Sequence, residues 1–270
     1  MDASENKRSI AVVTGASGGF GKEFVRLLLE EDTVDEIWAV ARNKEKLQKL
    51  SDEFGSRICM IPMDLTDPVE RRAFAEKLEQ EKVKIQFLVN NAGYAKFCAY
   101  DELGVEESLN MLELNCNAVV AMGLFCIPYM EQGSHIVNIA SLAAFLPLPY
   151  LNLYSASKAF VRNYSRALNV ELKQRGITVT AVCPGWMHTA LFERALRDEP
   201  DNYMVYRSLA AAYYSHMNRR GEALPLMRRA LAMSDSEQLL YETAVLMDQL
   251  GAAPEEKLDL LLPRLPAMRR

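Results

Sequence analysis

Ile10-Ala-Val-Val-Thr14, a short run rich in β-branched residues, passes directly into Gly15-Ala-Ser-Gly-Gly-Phe-Gly21 and then into an amphipathic segment, Lys22 to Glu31. No other stretch restricts the fold as strongly, because an apolar run, glycines and helical periodicity in that order read as strand, tight turn and helix. Gly15, Gly19 and Gly21 allow the tight turn, a close backbone approach to a pyrophosphate, and close packing of the helix on the strand. The helix start offers free N–H groups to the anion. A glycine triplet alone is a common pattern, so its weight depends on whether the chain continues the same alternation.

The alternation continues. Glu36-Ile-Trp-Ala-Val-Ala41 is expected to be a second strand, Lys44 to Phe54 a helix, Ser56 to Met63 a third strand and Val69 to Glu81 a charged helix. Ile85-Gln-Phe-Leu-Val89 is the fourth strand, His135-Ile-Val-Asn-Ile-Ala140 the fifth and Ile177-Thr-Val-Thr-Ala-Val182 the sixth. Long helices, Glu106 to Met130 and another reaching Lys173, lie between them. Strands alternating with helices predict a doubly wound, Rossmann-like parallel α/β sheet with its ligand at the carboxyl ends of the strands.

Those carboxyl ends carry the informative residues. The second strand ends in Ala41-Arg42, with no acidic residue to bond a ribose 2′-hydroxyl, so Arg42 points to a 2′-phosphate and to NADP rather than NAD. Lys44 and Lys46 add positive charge nearby. After the third strand, Asp64-Leu-Thr-Asp67 precedes Pro68, a helix-start signal in which Thr66 or Asp67 caps and proline takes the first turn. The fourth strand runs into Asn90-Asn-Ala-Gly93, whose small residues suit close passage of the backbone past a ribose, and whose amides can stitch adjacent strand ends together.

Ser141 follows the fifth strand, and Tyr154 and Lys158 stand thirteen and seventeen positions on. If a helix begins near Tyr154, the four-residue step puts the ammonium on the same face as the phenol. A cation there favours phenolate and makes the tyrosine a usable acid or base. A single Tyr or Lys is usually surface or packing; the spacing is what gives this pair meaning.

Ser141 with Tyr154-x-x-x-Lys158, the Thr-Gly-x-x-x-Gly-x-Gly turn and Asn-Asn-Ala-Gly together resemble the short-chain dehydrogenase/reductase family, over Ile10 to about Phe192. The resemblance implies a nicotinamide-dependent oxidoreductase that interconverts a secondary alcohol and a ketone without a metal. Tyr154 would be the general acid/base, Lys158 would lower its pKa and hold the nicotinamide ribose, Ser141 would bond the substrate oxygen, and Asn115 would support a relay water. Asn117 is the weaker alternative to Asn115. Gly15, Ser17, Gly19, Phe20, Gly21, Arg42, Asp64, Leu65, Asn91, Ala92, Gly93, Tyr154, Lys158, Pro184, Gly185 and Thr189 are the expected cofactor contacts, with Asp64 at the adenine and Thr189 at the carboxamide. Neither His135 nor His188 is needed as a proton donor. Phe97, Tyr100, Phe145, Leu146, Leu148, Leu151, Trp186 and Met187 suggest an apolar alcohol or ketone, and apolar helix faces suggest a homodimer by family analogy.

The resemblance ends before the C-terminus. Residues 1–197 form the expected nucleotide-binding domain, whereas 198–270 lack a last β-rich run or Gly-Gly pair and read as an all-helical extension. Tyr203, Tyr206, Leu209, Ala210, Tyr213, Ala230 and Leu231 resemble one tetratricopeptide helix pair, with Leu239 to Leu250 as the first helix of another. Such helices must pack on something, either covering the sheet edge and substrate cleft or forming a groove for a protein partner. The alternative function is therefore a nucleotide-binding redox sensor or scaffold whose tail binds a protein. A net charge of -5 and a pI near 5.4 argue against nucleic-acid or anionic-membrane binding. Cys59, Cys98, Cys116, Cys126 and Cys183 are scattered, as for free thiols in a reducing cytoplasm. No apolar run is expected to span a membrane, and the protein is expected to be cytoplasmic.

Overall fold

The computed structural model describes residues 7–185, 196–197, 200–215, 219–234 and 236–262. They fall into two compact units, Met1–Pro184 and Gly185–Arg270.

In the first unit, strands β1 (Ser9–Thr14), β2 (Glu36–Ala41), β3 (Ile58–Pro62), β4 (Lys84–Asn90), β5 (His135–Ile139) and β6 (Thr178–Val182) form one sheet in the order β3-β2-β1-β4-β5-β6. Every neighbouring pair is parallel. Helices α1 (Gly19–Glu30), α2 (Lys44–Phe54), α3 (Pro68–Glu81), α4 (Val105–Leu112), α5 (Ala118–Cys126) and α6 (Asn152–Leu172) connect them. This is the doubly wound architecture expected, and the strand order reverses between β1 and β4, where such sheets open a crevice for ligand.

A parallel sheet covered on both faces needs apolar residues on both sides of each central strand. In β1, Ile10 and Val12 enter one core, with Trp38, Leu78, Leu88, Met122 and Leu172, while Ala11 and Val13 enter the other, with Val25, Ile37 and Leu47. The register of β1 on β4 slips by one between Ile10 and Ala11, so that Ile10 stands opposite Ile85 but Ala11 opposite Phe87. The extra residue, Gln86, turns out and donates to the Gly133 carbonyl at 2.7 Å.

The long helix expected over 106–130 is interrupted. Between α4 and α5, Glu113–Asn117 form a π-helical turn around the fully buried Asn115, and Ile127–Tyr129 finish as a 3-10 turn. Contrary to the sequence expectation, the helical run Val105–Tyr129 is long and apolar enough to cross a membrane. Its Met111, Asn115, Cys116, Val119, Met122 and Cys126 are buried in the fold, as on a helix that packs against a sheet.

The second unit contains α7 (Tyr203–Ser215), α8 (Arg220–Ala232), α9 (Glu237–Gln249) and α10 (Pro254–Leu261). They begin every 17 residues, so two helix pairs repeat at the ~34-residue period of tetratricopeptide units, one helix more than the sequence suggested. Arg207 of α7 makes a bidentate pair with Glu242 of α9, at 2.6 and 2.5 Å. Arg229 of α8 lies 4.6 Å from the ring centre of Tyr206 on α7.

Candidate active site

The site is assembled from the carboxyl ends of the strands. At the end of β1 the chain turns through Gly15 and Gly19, both at positive φ (64° and 53°), and enters α1. A Cβ on Gly21 would stand 2.2 Å from the Gly15 carbonyl oxygen, so helix and turn meet there with no room for a side chain. Gly18 and Gly19 face open space instead. The first turn of α1 has no side-chain cap and no acidic residue, leaving its N–H groups to an external acceptor. A pyrophosphate fits this cradle: positive partial charge, free donors, and room on the side of Gly18 and Gly19.

The Asn-Asn-Ala-Gly segment closes the other wall. Thr14 Oγ1 accepts from the backbone N–H groups of Asn91 and Ala92, at 2.9 and 3.1 Å, and Asn91 Nδ2 donates to the carbonyls of Thr14 and Gly15. Thr14, the first residue of the Thr-Gly-x-x-x-Gly-x-Gly turn, was given no role of its own from the sequence. The signal was a hydroxyl at the buried end of an otherwise apolar strand. Asn90 Nδ2 donates to Asn138 Oδ1 at 2.8 Å, and Asn138 Nδ2 to Ser165 Oγ at 2.9 Å, a buried chain that ties β4 and β5 to α6.

Gly93 brings the second half of the site into contact with the first. A Cβ there would lie 2.9 Å from Asn115 Oδ1 and 3.4 Å from Lys158 Nζ, so the three positions share one small volume. Asn115 Oδ1 accepts from Tyr94 N–H, and its Nδ2 donates to the Tyr94 carbonyl and to Ser157 Oγ. The π-turn thus aims a buried amide at the backbone next to Gly93. Asn117, the alternative, is exposed and donates to Glu113.

Tyr154 and Lys158 lie on α6, which starts at Asn152, as the four-residue spacing required. Lys158 Nζ is 5.7 Å from the Tyr154 ring centre. The ammonium donates to the Ile139 carbonyl at 2.7 Å, and burial lowers its pKa to about 8, against raising contributions from Cys116 and Cys183. Burial raises the Tyr154 pKa above its ordinary value, and a hydrogen bond with Ser141 opposes that. The phenol therefore holds its proton at neutral pH. Ser141, extended at the end of β5, accepts from Ala143 N–H at 3.1 Å while standing beside the phenol.

Past β2, Arg42 is 62 % exposed, with Nη1 3.8 Å from Asp64 Oδ2. Burial alone would raise the Asp64 pKa, but hydrogen bonds from Thr66 and the Arg42 charge outweigh it and hold the carboxyl below its usual range. Asp67, not Thr66, caps α3, with Pro68 in its first turn. Ser17 and Phe20 belong to the glycine turn and Leu65 is buried beside Asp64. Pro184 returns next to Ser141, its carbonyl accepting from Leu142 N–H at 3.0 Å, and Gly185 follows. Thr189, Trp186, Met187 and His188 lie outside the described residues. Phe97 and Leu151 are core, not lining, whereas Tyr100, Phe145 and Leu146 are exposed. His135 stacks on Phe87 at 5.3 Å. Among the described residues no cluster of His, Cys, Asp and Glu could hold a metal.

The arrangement matches known proteins. The family described as short chain dehydrogenase matches residues 9–200. An uncharacterized oxidoreductase of Staphylococcus aureus (strain USA300) is 31% identical over 185 residues, 67% of this chain and 79% of the relative. A short-chain dehydrogenase from Streptomyces avermitilis superposes with a TM-score of 0.63 at 29% identity, covering 70% of this chain and 69% of that one. A metagenomic short-chain oxidoreductase in complex with NADP gives 0.60 at 28% identity, covering 67% and 84%.

Proposed function

The chain belongs to the short-chain dehydrogenase family of NAD(P)-dependent oxidoreductases, and from that premise we propose that it interconverts a ketone and a secondary alcohol with NADP(H), using Tyr154 as the general acid/base. The observation that carries this reading is the convergence of half-buried Ser141 and Tyr154 with buried Lys158, beside Gly93 and Asn115. Tyr154, with its pKa raised by burial, is in the state that donates a proton to a ketone oxygen. Ser141 directs a hydroxyl to the same oxygen and stabilises charge as it develops. Lys158 keeps a buried positive charge next to the phenolate that proton transfer leaves, and Asn115 holds the backbone around Gly93 in register.

The nicotinamide supplies the hydride when bound. Its cradle is assigned to Gly15, Ser17, Gly19, Phe20, Gly21, Leu65, Asn91, Ala92, Gly93, Pro184 and Gly185, with Asp64 toward the adenine and Thr189 toward the carboxamide. Arg42 supports NADP over NAD: it is an exposed guanidinium at the end of β2, where a carboxylate would select a ribose hydroxyl. An NADP complex of the metagenomic relative agrees with that choice. Exposed Tyr100, Phe145 and Leu146 favour an apolar substrate. Exposed Val105, Leu109 and Leu124 on α4 and α5, with Phe160 on α6, favour a homodimer through that face. All five cysteines are free, in keeping with a reducing cytoplasm. Residues 198–270 are proposed as a separate helical module.

The test is nicotinamide absorbance with a panel of apolar ketones, supplied with NADPH or NADH. Consumption of NADPH in preference to NADH supports the reading. Tight NADPH binding with no turnover on any ketone favours a sensor.

A further inference from the structure

The π-turn that carries Asn115 is wired to the loop after β3 through an ion pair. Arg71 of α3 donates through Nη1 to Glu113 Oε1 at 2.6 Å and to the Leu65 carbonyl at 2.7 Å. Glu113 opens the π-turn, and its Oε2 accepts from Nδ2 of Asn117, the residue that closes it. The Glu113 carbonyl accepts from Ala118 N–H, the i→i+5 bond of such a turn. One residue therefore clips both ends of the turn and ties it to α3.

Exposed ion pairs contribute little, because water screens them and two long side chains must be ordered. This pair is better sheltered: the side chains of Arg71 and Glu113 are 13% and 28% exposed. Burial alone would raise the Glu113 pKa, but hydrogen bonds from Asn117 and Arg71 and the Arg71 charge outweigh it, so the carboxylate stays charged. A planar guanidinium with two acceptors on one nitrogen fixes those acceptors relative to each other.

Both ends of the connection lead into the cleft. Leu65 sits in a loop held by α3: Asp64 N–H donates to Glu70, Asp64 Oδ1 accepts from Thr66, and Asp67 caps the helix. At the other end, Asn115 Oδ1 accepts from Tyr94 N–H at 3.1 Å and its Nδ2 donates to Ser157, the neighbour of Lys158. A line of bonds thus runs from Leu65 through Arg71, Glu113 and the π-turn to Asn115, Tyr94 and Ser157.

We propose that Arg71 and Glu113 are a positioning pair that couples the two ends of the cofactor cleft, so that a ligand at the adenine end tightens the hold of Asn115 on Tyr94. A ligand that orders Asp64 and Leu65 favours the arrangement in which the Leu65 carbonyl meets Arg71, and with it the seated Glu113 and the closed π-turn. Linkage makes the effect reciprocal: a nicotinamide end that fits the closed turn strengthens binding at the adenine end. Both side chains act through Leu65 and Asn115 and are assigned no cofactor contact. The coupling rests on the assignment of the adenine end to Asp64 and Leu65, and is independent of the role given to Tyr154.

Tyr94 N–H is the reporter, because its acceptor is Asn115 itself. Its hydrogen exchange is followed by NMR on the full chain with and without adenosine 2′,5′-bisphosphate, the adenine half of NADP, whose binding is measured separately by calorimetry. Val12 N–H, in the middle of β1, reports global opening. In the wild type the bisphosphate should slow Tyr94 exchange about fivefold or more. Arg71→Met should bind the bisphosphate, keep Val12 protected and lose that slowing. Glu113→Ala should lose it in the same way, and Arg71→Lys, which restores a charged donor, should recover part of it. The proposal is overturned if the bisphosphate binds the wild type without changing Tyr94 exchange, if the slowing persists in both Arg71→Met and Glu113→Ala, or if Val12 and Tyr94 accelerate together in both variants. No binding to the wild type overturns the NADP assignment, and the coupling with it.

Discussion

At the scale of single residues, the least expected finding is the electrostatic state of the Tyr154–Lys158 pair. Spacing alone placed them on one helical face, but burial was invisible to it, and burial raises the phenol's pKa and lowers the ammonium's to about 8. The Lys158 shift has a signed consequence. With its folded pKa below its unfolded one, the unfolded chain binds more protons between pH ~8 and pH ~10.4, so this group's contribution to stability rises with pH across that window. Below it the buried charge is a constant penalty. Lys158→Met should therefore melt higher than the wild type at pH 7, and the gap should narrow at pH 10; a gap independent of pH would mean that burial leaves the Lys158 pKa unshifted. Arg42→Asp should shift cofactor preference toward NADH, measured by titrating both cofactors against intrinsic fluorescence, and unchanged affinities would leave Arg42 as a surface charge.

At the scale of elements, the sequence carried most of the sheet. β2 and α2 begin and end where the apolar run and helical pattern do, because each is bounded by a change of composition. The π-turn at Glu113–Asn117 was not legible, since no composition rule separates π from α; the only hint was a polar residue, Asn115, inside an apolar helix. The β1–β4 slip at Gln86 was hidden for the same reason: register is a property of two strands, not one. In the glycine turn, position matters more than residue type. Gly21→Ala should abolish NADPH binding and cost several kcal/mol, because its Cβ would meet backbone at 2.2 Å. Gly19→Ala, facing open space at φ 53°, should cost only about 1–2 kcal/mol. Equal losses in denaturant unfolding would contradict this account of the turn.

At the scale of the whole molecule, the chain joins a nucleotide-binding sheet to a helical unit that lies mostly beyond the residues 9–200 of the family match. The 17-residue rhythm of α7 to α10 was partly readable from small and large apolar positions, but the fourth helix was missed because its exposed Leu258 blurs the pattern. Removing the residues after Arg197 should leave a folded, NADPH-binding protein if the helical unit is a separate module; loss of folding would make it part of the core. The most direct measurement of the central claim is single-turnover oxidation of NADPH by Tyr154→Phe with a ketone the wild type reduces. NADPH affinity should be unchanged and the rate should fall by about 10²-fold or more, since only a phenolic proton donor is removed. A wild-type rate in that variant would show that the proton comes from elsewhere and contradict the role given to Tyr154.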